Sequence, residues 1–335
     1  MKKITYFILV LISCNLQAQE NIEDLLAAGI NDAQRFTNAY LEPASEGIVH
    51  NLNNGWFNSG KTKKLFGFEV TIVGNASFVK DEDKSFVLNT ADYENLRFQD
   101  GSPSKNVSTA FGDIEGITVV AEGPLPGSSD DAVFDLPTGL GSADVNFVPS
   151  AFLQVSVGLI KGIELKARYF PKVKTNDVEA GLYGVGLQYE FTSLLPANKI
   201  FPVAISGLIG YTRLDGTYDF TDTSIVDGDN QRIENTTDSW AFQAIASTKL
   251  PVFNVYGGLG YITGKSTNDL KGTYRVQSGV LATQTVVDPF SVSSDVSGFR
   301  GTLGARLKLG FFRLNSDVTF AQFTTVSLGM GFGFR

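Results

Sequence analysis

VSGFRGTLGARLKLGFFRLNSDVTFAQFTTVSLGMGFGFR, residues 296–335, is three alternating runs laid end to end. In the first, Phe299, Leu303, Ala305, Leu307 and Leu309 interleave with Arg300, Thr302, Gly304, Arg306 and Lys308. After Gly310, Phe312, Leu314, Val318 and Phe320 stand against Arg313, Asn315, Asp317 and Thr319. The third sets Val326, Leu328, Met330, Phe332 and Phe334 against Thr325, Ser327 and three glycines. Successive strand side chains point to opposite faces, so each run has one apolar face and one polar or small face. Three such strands, closing on an aromatic at the chain end, suit a barrel with its apolar face to lipid and its polar face to a lumen.

Upstream, the same period places strands at 151–160, 162–172, 178–191, 202–214, 239–250 and 252–265, with the last three at 296–309, 311–321 and 324–334. The links after 160, 250 and 309 are very short (Lys161-Gly162, Pro251, Gly310), whereas 215–238 and 266–295 are long. Outer-membrane barrels alternate short periplasmic turns with long outer loops, so this sorting predicts a membrane barrel with Arg335 in the periplasm. A strand over 65–79 makes ten. A pair at 85–89 and 114–121 brings the expected count to about 12, within a range of about 10 to 14. The Gly-, Pro-, Ser- and Asp-rich stretch 123–149 reads as a long loop or inward constriction. The expected fold class is all-β, an antiparallel transmembrane β-barrel over 65–335.

Lys2 and Lys3 precede an apolar run from Ile4 to Ile12, a secretory signal peptide over 1–18 and too short for a helical span. Cleavage is expected after Ala18, although Leu11-Ile12-Ser13-Cys14 also fits a lipoprotein box with Cys14 lipidated. Cys14 is the single cysteine, so disulfides play no part in the mature chain. Over Asn21–Tyr40, Leu25, Leu26, Ile30, Ala33 and Phe36 recur at helical spacing, with Asn21 as N-cap and Glu42-Pro43 as the stop. The polar stretch 47–64 reads as a loop packed at the barrel mouth. Residues 19–64 are thus an expected plug or brace, entering from the periplasmic side so that both termini lie there.

Charge and residue types narrow the function. A net charge of −8 lacks the basic footprint that nucleic acid requires. His50 is the single histidine and lies in the N-terminal segment, and no Cys/His metal set exists, so no enzyme, metal or cofactor is expected. Asp227-Gly228-Asp229-Asn230, with Asp215, Asp219, Asp222, Glu234 and Asp238 around it, fails the EF-hand spacing and reads as a solvated acidic loop. Tyr169, Tyr183, Tyr189, Phe191, Tyr211 and Trp240 fall on apolar faces near strand ends, as interfacial girdle residues do.

The polar faces carry Glu164, Lys166, Arg168, Glu190, Arg300, Arg306, Lys308, Arg313 and Asp317. Lys or Arg on the lipid face at mid-membrane costs roughly 2–4 kcal/mol, so the alternation turns these residues inward. They form either a lining that selects permeants or a paired network that fills a narrow barrel.

Ala33–Pro43 (AQRFTNAYLEP), Leu52–Phe57 (LNNGWF) and Gly67–Phe78 (GFEVTIVGNASF), continued by Asp81-Glu82-Asp83-Lys84, resemble a Bacteroidota family of unknown function with outer-membrane-barrel character. That resemblance implies a fold and no activity. A plug followed by a barrel is also loosely similar to the long-chain fatty-acid transporters, although their N-terminal Asn-Pro-Ala signature is absent. The expected function is an outer-membrane barrel that passes or binds a small molecule, hydrophobic in one version. Its partners would be outer-membrane lipid and the barrel-assembly machinery. Two alternatives stand beside it: a barrel scaffolding a surface or secretion complex, and a soluble periplasmic β protein with Phe332 and Phe334 buried.

Overall fold

Strands with one apolar and one polar face bury neither unless they close on themselves. In the computed structural model, which describes residues 23–122, 131–175, 177–195, 202–220, 227–277 and 283–334, ten of them do. They are β1 (Phe68–Phe78), β2 (Phe147–Ile160), β3 (Ile163–Thr175), β4 (Val178–Glu190) and β5 (Val203–Asp219). The second half comprises β6 (Asp227–Thr248), β7 (Phe253–Gln277), β8 (Phe290–Leu309), β9 (Phe312–Phe320) and β10 (Thr324–Phe334). Each pairs antiparallel with its sequence neighbours, and β10 closes on β1, with Phe334 opposite Phe68 and Thr324 opposite Phe78. An extra strand, Thr283–Val287, pairs with the tip of β7. Gly162 (φ 84°) and Gly310 (φ 63°) make the tight β2–β3 and β8–β9 turns, in a backbone region that a side chain disfavours.

The faces sort as the alternation requires. Phe299 is 84% exposed, Phe332 56% and Phe334 59%, while Arg300, Thr302, Arg306, Asn315 and Asp317 are buried. A belt of outward Phe, Leu, Val and Tyr around a polar interior is the reverse of a water-soluble protein, where burying each such side chain gains about 1.5–3 kcal/mol. The soluble alternative is thereby set aside.

Three expectations are corrected. The barrel has ten strands, the low end of the expected range and not its central twelve: Ser85–Asn89 and Thr118–Ala121 lie outside it. The first pairs with Ser104–Ser108, and the second sits between Leu96–Phe98 and Ala132–Asp135. Strands this short cannot cross a bilayer core, which takes about 9–11 residues. Instead these small sheets cap the long-connection mouth, packing Leu88, Leu96, Phe98 and Val119 on Leu25, Leu26 and Phe36. That cap also supplies a regular strand, Ala132–Asp135, inside the stretch expected to be irregular. Finally, 215–238 and 266–295 are mostly strand, because β5–β8 project beyond the apolar belt with polar residues on both faces and so show no apolar period.

The helix is corrected too. A 3-10 turn over Glu23–Ala28 leads into α1 (Ile30–Leu52), which runs through Pro43. Proline removes one intrahelical bond, yet α1 is held along its length by burial of Phe36, Tyr40, Val49 and Leu52. At its start the buried Asp32 carboxylate accepts the backbone N–H groups of Glu94 and Asn95 at 2.8 Å each and of Leu96 at 3.1 Å. Asp32→Ala strands three donors, and charge-assisted bonds of this kind contribute about 1.5–3 kcal/mol each. The expected result is faster hydrogen exchange and proteolysis across 85–121, with the barrel strands unchanged.

The path of the chain overturns the expected entry side. Leu25 and Leu26 pack with Tyr274 and Phe290 at the long-connection end, whereas Lys63 reaches Glu164 and Glu69 beside the β1 start, where Phe334 ends β10. Residues 23–64 therefore traverse the lumen, and Glu23 and Phe334 lie at opposite ends of the barrel. The signal peptide with Cys14, the connection 196–201 and Asp222 lie outside the described residues.

Candidate functional site

Below α1 the chain carries two large rings into the lumen, and the wall opposite them is glycine. Trp56 is buried with its ring against Gly186 of β4 and Gly210 of β5, which are register partners. A Cβ on Gly210 would stand 2.6 Å from that indole, and one on Gly186 2.8 Å. Phe57 occupies the corresponding place at Gly258 of β7, where a Cβ would meet its ring at 2.7 Å. Small wall positions opposite large plug side chains fix how deep and at what angle the segment lies.

Arg168 of β3 locks the same region. It donates to the carbonyls of Leu52 (2.7 Å) and Asn54 (2.6 Å) and to Gln154 Oε1 (2.8 Å). Its guanidinium lies 3.6 Å from the Trp56 ring centroid and 4.4 Å from that of Phe152. The two carbonyls are at the C-terminus of α1, where the helix dipole favours a cation.

The other inward charges sort the same way. Glu164 accepts the Lys63 backbone N–H at 2.9 Å and pairs with Lys63 Nζ at 3.1 Å and Lys166 Nζ at 2.5 Å. Glu190 accepts both the N–H and the hydroxyl of Thr62 at 3.0 Å. Arg300 bonds Asn54, and Arg306 pairs with Glu69, which also accepts from Asn58 at 2.8 Å. Asp317 accepts from Tyr256 at 2.8 Å. Lys308 and Arg313 stand apart, half-buried beside Lys61 and Lys64 around a cavity of about 140 Å³ at the short-turn mouth. Of the two readings of this set, the geometry matches the paired, filled interior: four of the nine, Glu164, Arg168, Glu190 and Arg300, bond residues 52–63, and Lys166, Arg306 and Asp317 pair within the wall.

Sequence reasoning missed Glu69, Gln188, Asn51 and the glycine pit. The signal for the pit was present: Gly184, Gly186 and Gly210 all fall on inward positions, and Trp56 is one of only two tryptophans. Nothing in the pattern said that the two belonged together.

A second cavity, of about 300 Å³, lies higher in the lumen between α1 and the wall. Leu41, Ala44 and Ile48 line it from the helix, and Phe170, Leu182 and Leu214 from β3, β4 and β5. The acidic residues farther out are paired: Asp227 and Asp229 clamp Arg275 at 2.7 and 2.5 Å, and Asp219 meets Lys174 at 2.8 Å. Among the described residues no His, Cys, Asp and Glu grouping has the geometry of a metal site. His50 is buried against Phe323, with ring centroids 5.3 Å apart, inside the lumen and away from the outer rim.

A barrel entered by its own N-terminal segment, with LNNGWF at the docking point, brings the comparison with known families to a decision. The profile of a family of unknown function, DUF6588, matches residues 1–334. The chain belongs to that family. No curated protein matches this DUF6588 chain. Among solved structures it is similar to the translocator domain of the autotransporter NalP from Neisseria meningitidis, at 11% identity and a TM-score of 0.32, covering 94% of this chain and 99% of that one. The outer membrane protein AlkL matches at 13% identity and a TM-score of 0.31, covering 84% and 97%. Ail of Yersinia pestis matches at 11% and 0.28, covering 81% and 100%.

Proposed function

We propose that this DUF6588 protein is an outer-membrane barrel that closes its lumen with its own N-terminal segment and holds a small hydrophobic molecule beside α1. The cavity of about 300 Å³ carries the reading, because Leu41, Ala44, Ile48, Phe170, Leu182 and Leu214 wall it beside α1. Mostly apolar cavities with a few polar groups, here Ser45, Ser150, Glu179, Thr217, Asn235 and Asn268, are how proteins hold small molecules. The belt of outward aromatics supports residence in a bilayer. In this reading the short turns face the periplasm, as in other such barrels, with Phe334 on that side and Glu23 on the other. A β10 that ends on outward Phe334 suits delivery by the barrel-assembly machinery, and lipid is the other partner. The role is binding and not catalysis, and the charged lumen set serves to hold the plug.

The test is binding of the apolar fluorophore N-phenyl-1-naphthylamine to amphipol-trapped protein. Wild type should bind saturably, and Ala44→Trp, which fills the cavity from α1, should weaken binding at least tenfold. Equal binding by both would overturn the reading. The cap over the mouth favours a second role, a sealed scaffold for a surface complex, which predicts no saturable binding by either protein.

A further inference from the structure

The barrel wall has a split. Pairing of β2 with β3 runs from Ile160–Ile163 to Leu153–Tyr169 and stops, although both strands continue. Beyond that pair, β2 stays on β1 as far as Phe147, opposite Phe78. Meanwhile β3 bulges between Phe170 and Val173 and follows β4 to Thr175. Six residues on each strand, Phe147–Phe152 and Phe170–Thr175, face a neighbour they do not pair with. Pro149 and Pro171 stand one on each side, and neither has an N–H to offer a cross-strand bond.

The cavity lies behind this split. Val148, Pro149, Ser150 and Ala151 of β2 all line it. Alternate residues of a strand face opposite sides, so a cavity touching every one of them reaches the edge of the wall itself. Exposed Leu153 and Tyr169 of the apolar belt bound the lower end of the split, and above them Lys172 and Lys174 of β3 pair outward with Glu179 and Asp219. An open sheet edge facing lipid is costly, since its polar groups find no water there. Here α1 covers part of that edge, Asn51 donating to the Val148 carbonyl at 2.6 Å.

Resting on the reading of the cavity as a hydrophobic binding site, we infer that the β2–β3 split is a lateral portal. Through it a hydrophobic molecule dissolved in the bilayer moves between the membrane and the cavity beside α1, without crossing the plugged lumen. The molecule's class is set by both ends of the route: small enough for the cavity and partitioned into hydrocarbon.

Carbene labelling in liposomes tests this with 3-trifluoromethyl-3-(m-iodophenyl)diazirine, a probe that partitions into bilayers. The α1 peptide holding Leu41 to Ile48 faces no lipid, so its labelling reports entry. Ala151→Cys with Pro171→Cys, the positions that would meet if the ladder continued, places a disulfide across the split. Val155→Cys with Ala167→Cys, true register partners, is the control. Wild type should label on α1, the oxidised staple should lower that labelling at least tenfold, reduction should restore it, and the control staple should leave it unchanged. Labelling that persists under the closed staple would overturn the portal while leaving the cavity reading intact. Absence of naphthylamine binding would instead remove the cavity reading. Should the staple not oxidise, Ala151→Trp, which obstructs the same gap, is read by the same labelling, with barrel closure checked by heat-modifiable gel mobility.

Discussion

Arg168→Ala is expected to release the lower plug and turn a silent barrel into a conducting one in planar bilayers. The guanidinium makes three hydrogen bonds between 2.6 and 2.8 Å and stacks on Trp56 and Phe152. Its loss leaves the Leu52 and Asn54 carbonyls without that donor at the end of α1. Charge-assisted bonds contribute about 1.5–3 kcal/mol each, and a desolvated cation–π contact about 2 kcal/mol. Because these terms are not additive, a net loss of about 3–5 kcal/mol is expected, the scale found when one partner of a buried charged network is removed. Wild type should be silent, and the variant should show stepwise conductance and protease cleavage within 53–64. Arg168→Lys should not rescue, since an ammonium cannot hold two carbonyls, a side-chain amide and an aromatic face at once. A silent, protease-resistant Arg168→Ala protein would show that the plug is held by other contacts.

Gly210→Val should displace the same segment by crowding instead of by loss. Its Cβ would sit 2.6 Å from the Trp56 ring, inside any permitted contact, and the Arg168 guanidinium stacked on the indole hinders its retreat. Overpacking of this kind typically costs 1–3 kcal/mol, occasionally more, with a cost of about 3 kcal/mol expected here because neither side can yield. Trp56 emission should shift to the red as the ring leaves its pit, with Trp240 replaced by Phe so that one tryptophan reports. The double variant Trp56→Ala/Gly210→Val should recover the protease resistance that Gly210→Val loses. An unshifted spectrum would mean that the wall moves and not the plug.

Much of the barrel was legible because one physical rule acts on every residue. A strand between lipid and a polar interior alternates with period 2, as Phe299 to Leu309 and Val326 to Phe334 do, and short turns such as Lys161-Gly162 and Gly310 mark one end. Where that rule lapses, the reading lapsed with it. Beyond the belt both faces meet polar surroundings, so the long β5–β6 and β7–β8 hairpins looked like loops. In the cap, Ser85–Asn89 and Thr118–Ala121 are strand-forming apolar runs but are too short to cross. Glu42-Pro43 was a sound local stop signal, overridden because α1 is buried on the barrel wall. Entry of the plug from the long-connection end had no local signature, since a helix of given sequence packs in a lumen from either direction.

The sequence by itself determined an all-β barrel, its outward apolar belt, its inward charges and an N-terminal segment unlike the rest, because burial and alternation are properties of single residues and their near neighbours. The tertiary structure alone decided that Trp56 meets Gly186 and Gly210, that Arg168 caps α1 and that β2 parts from β3 at Leu153 and Tyr169. Those are contacts between positions up to about 150 residues apart, and their energies depend on which surfaces the closed barrel brings together.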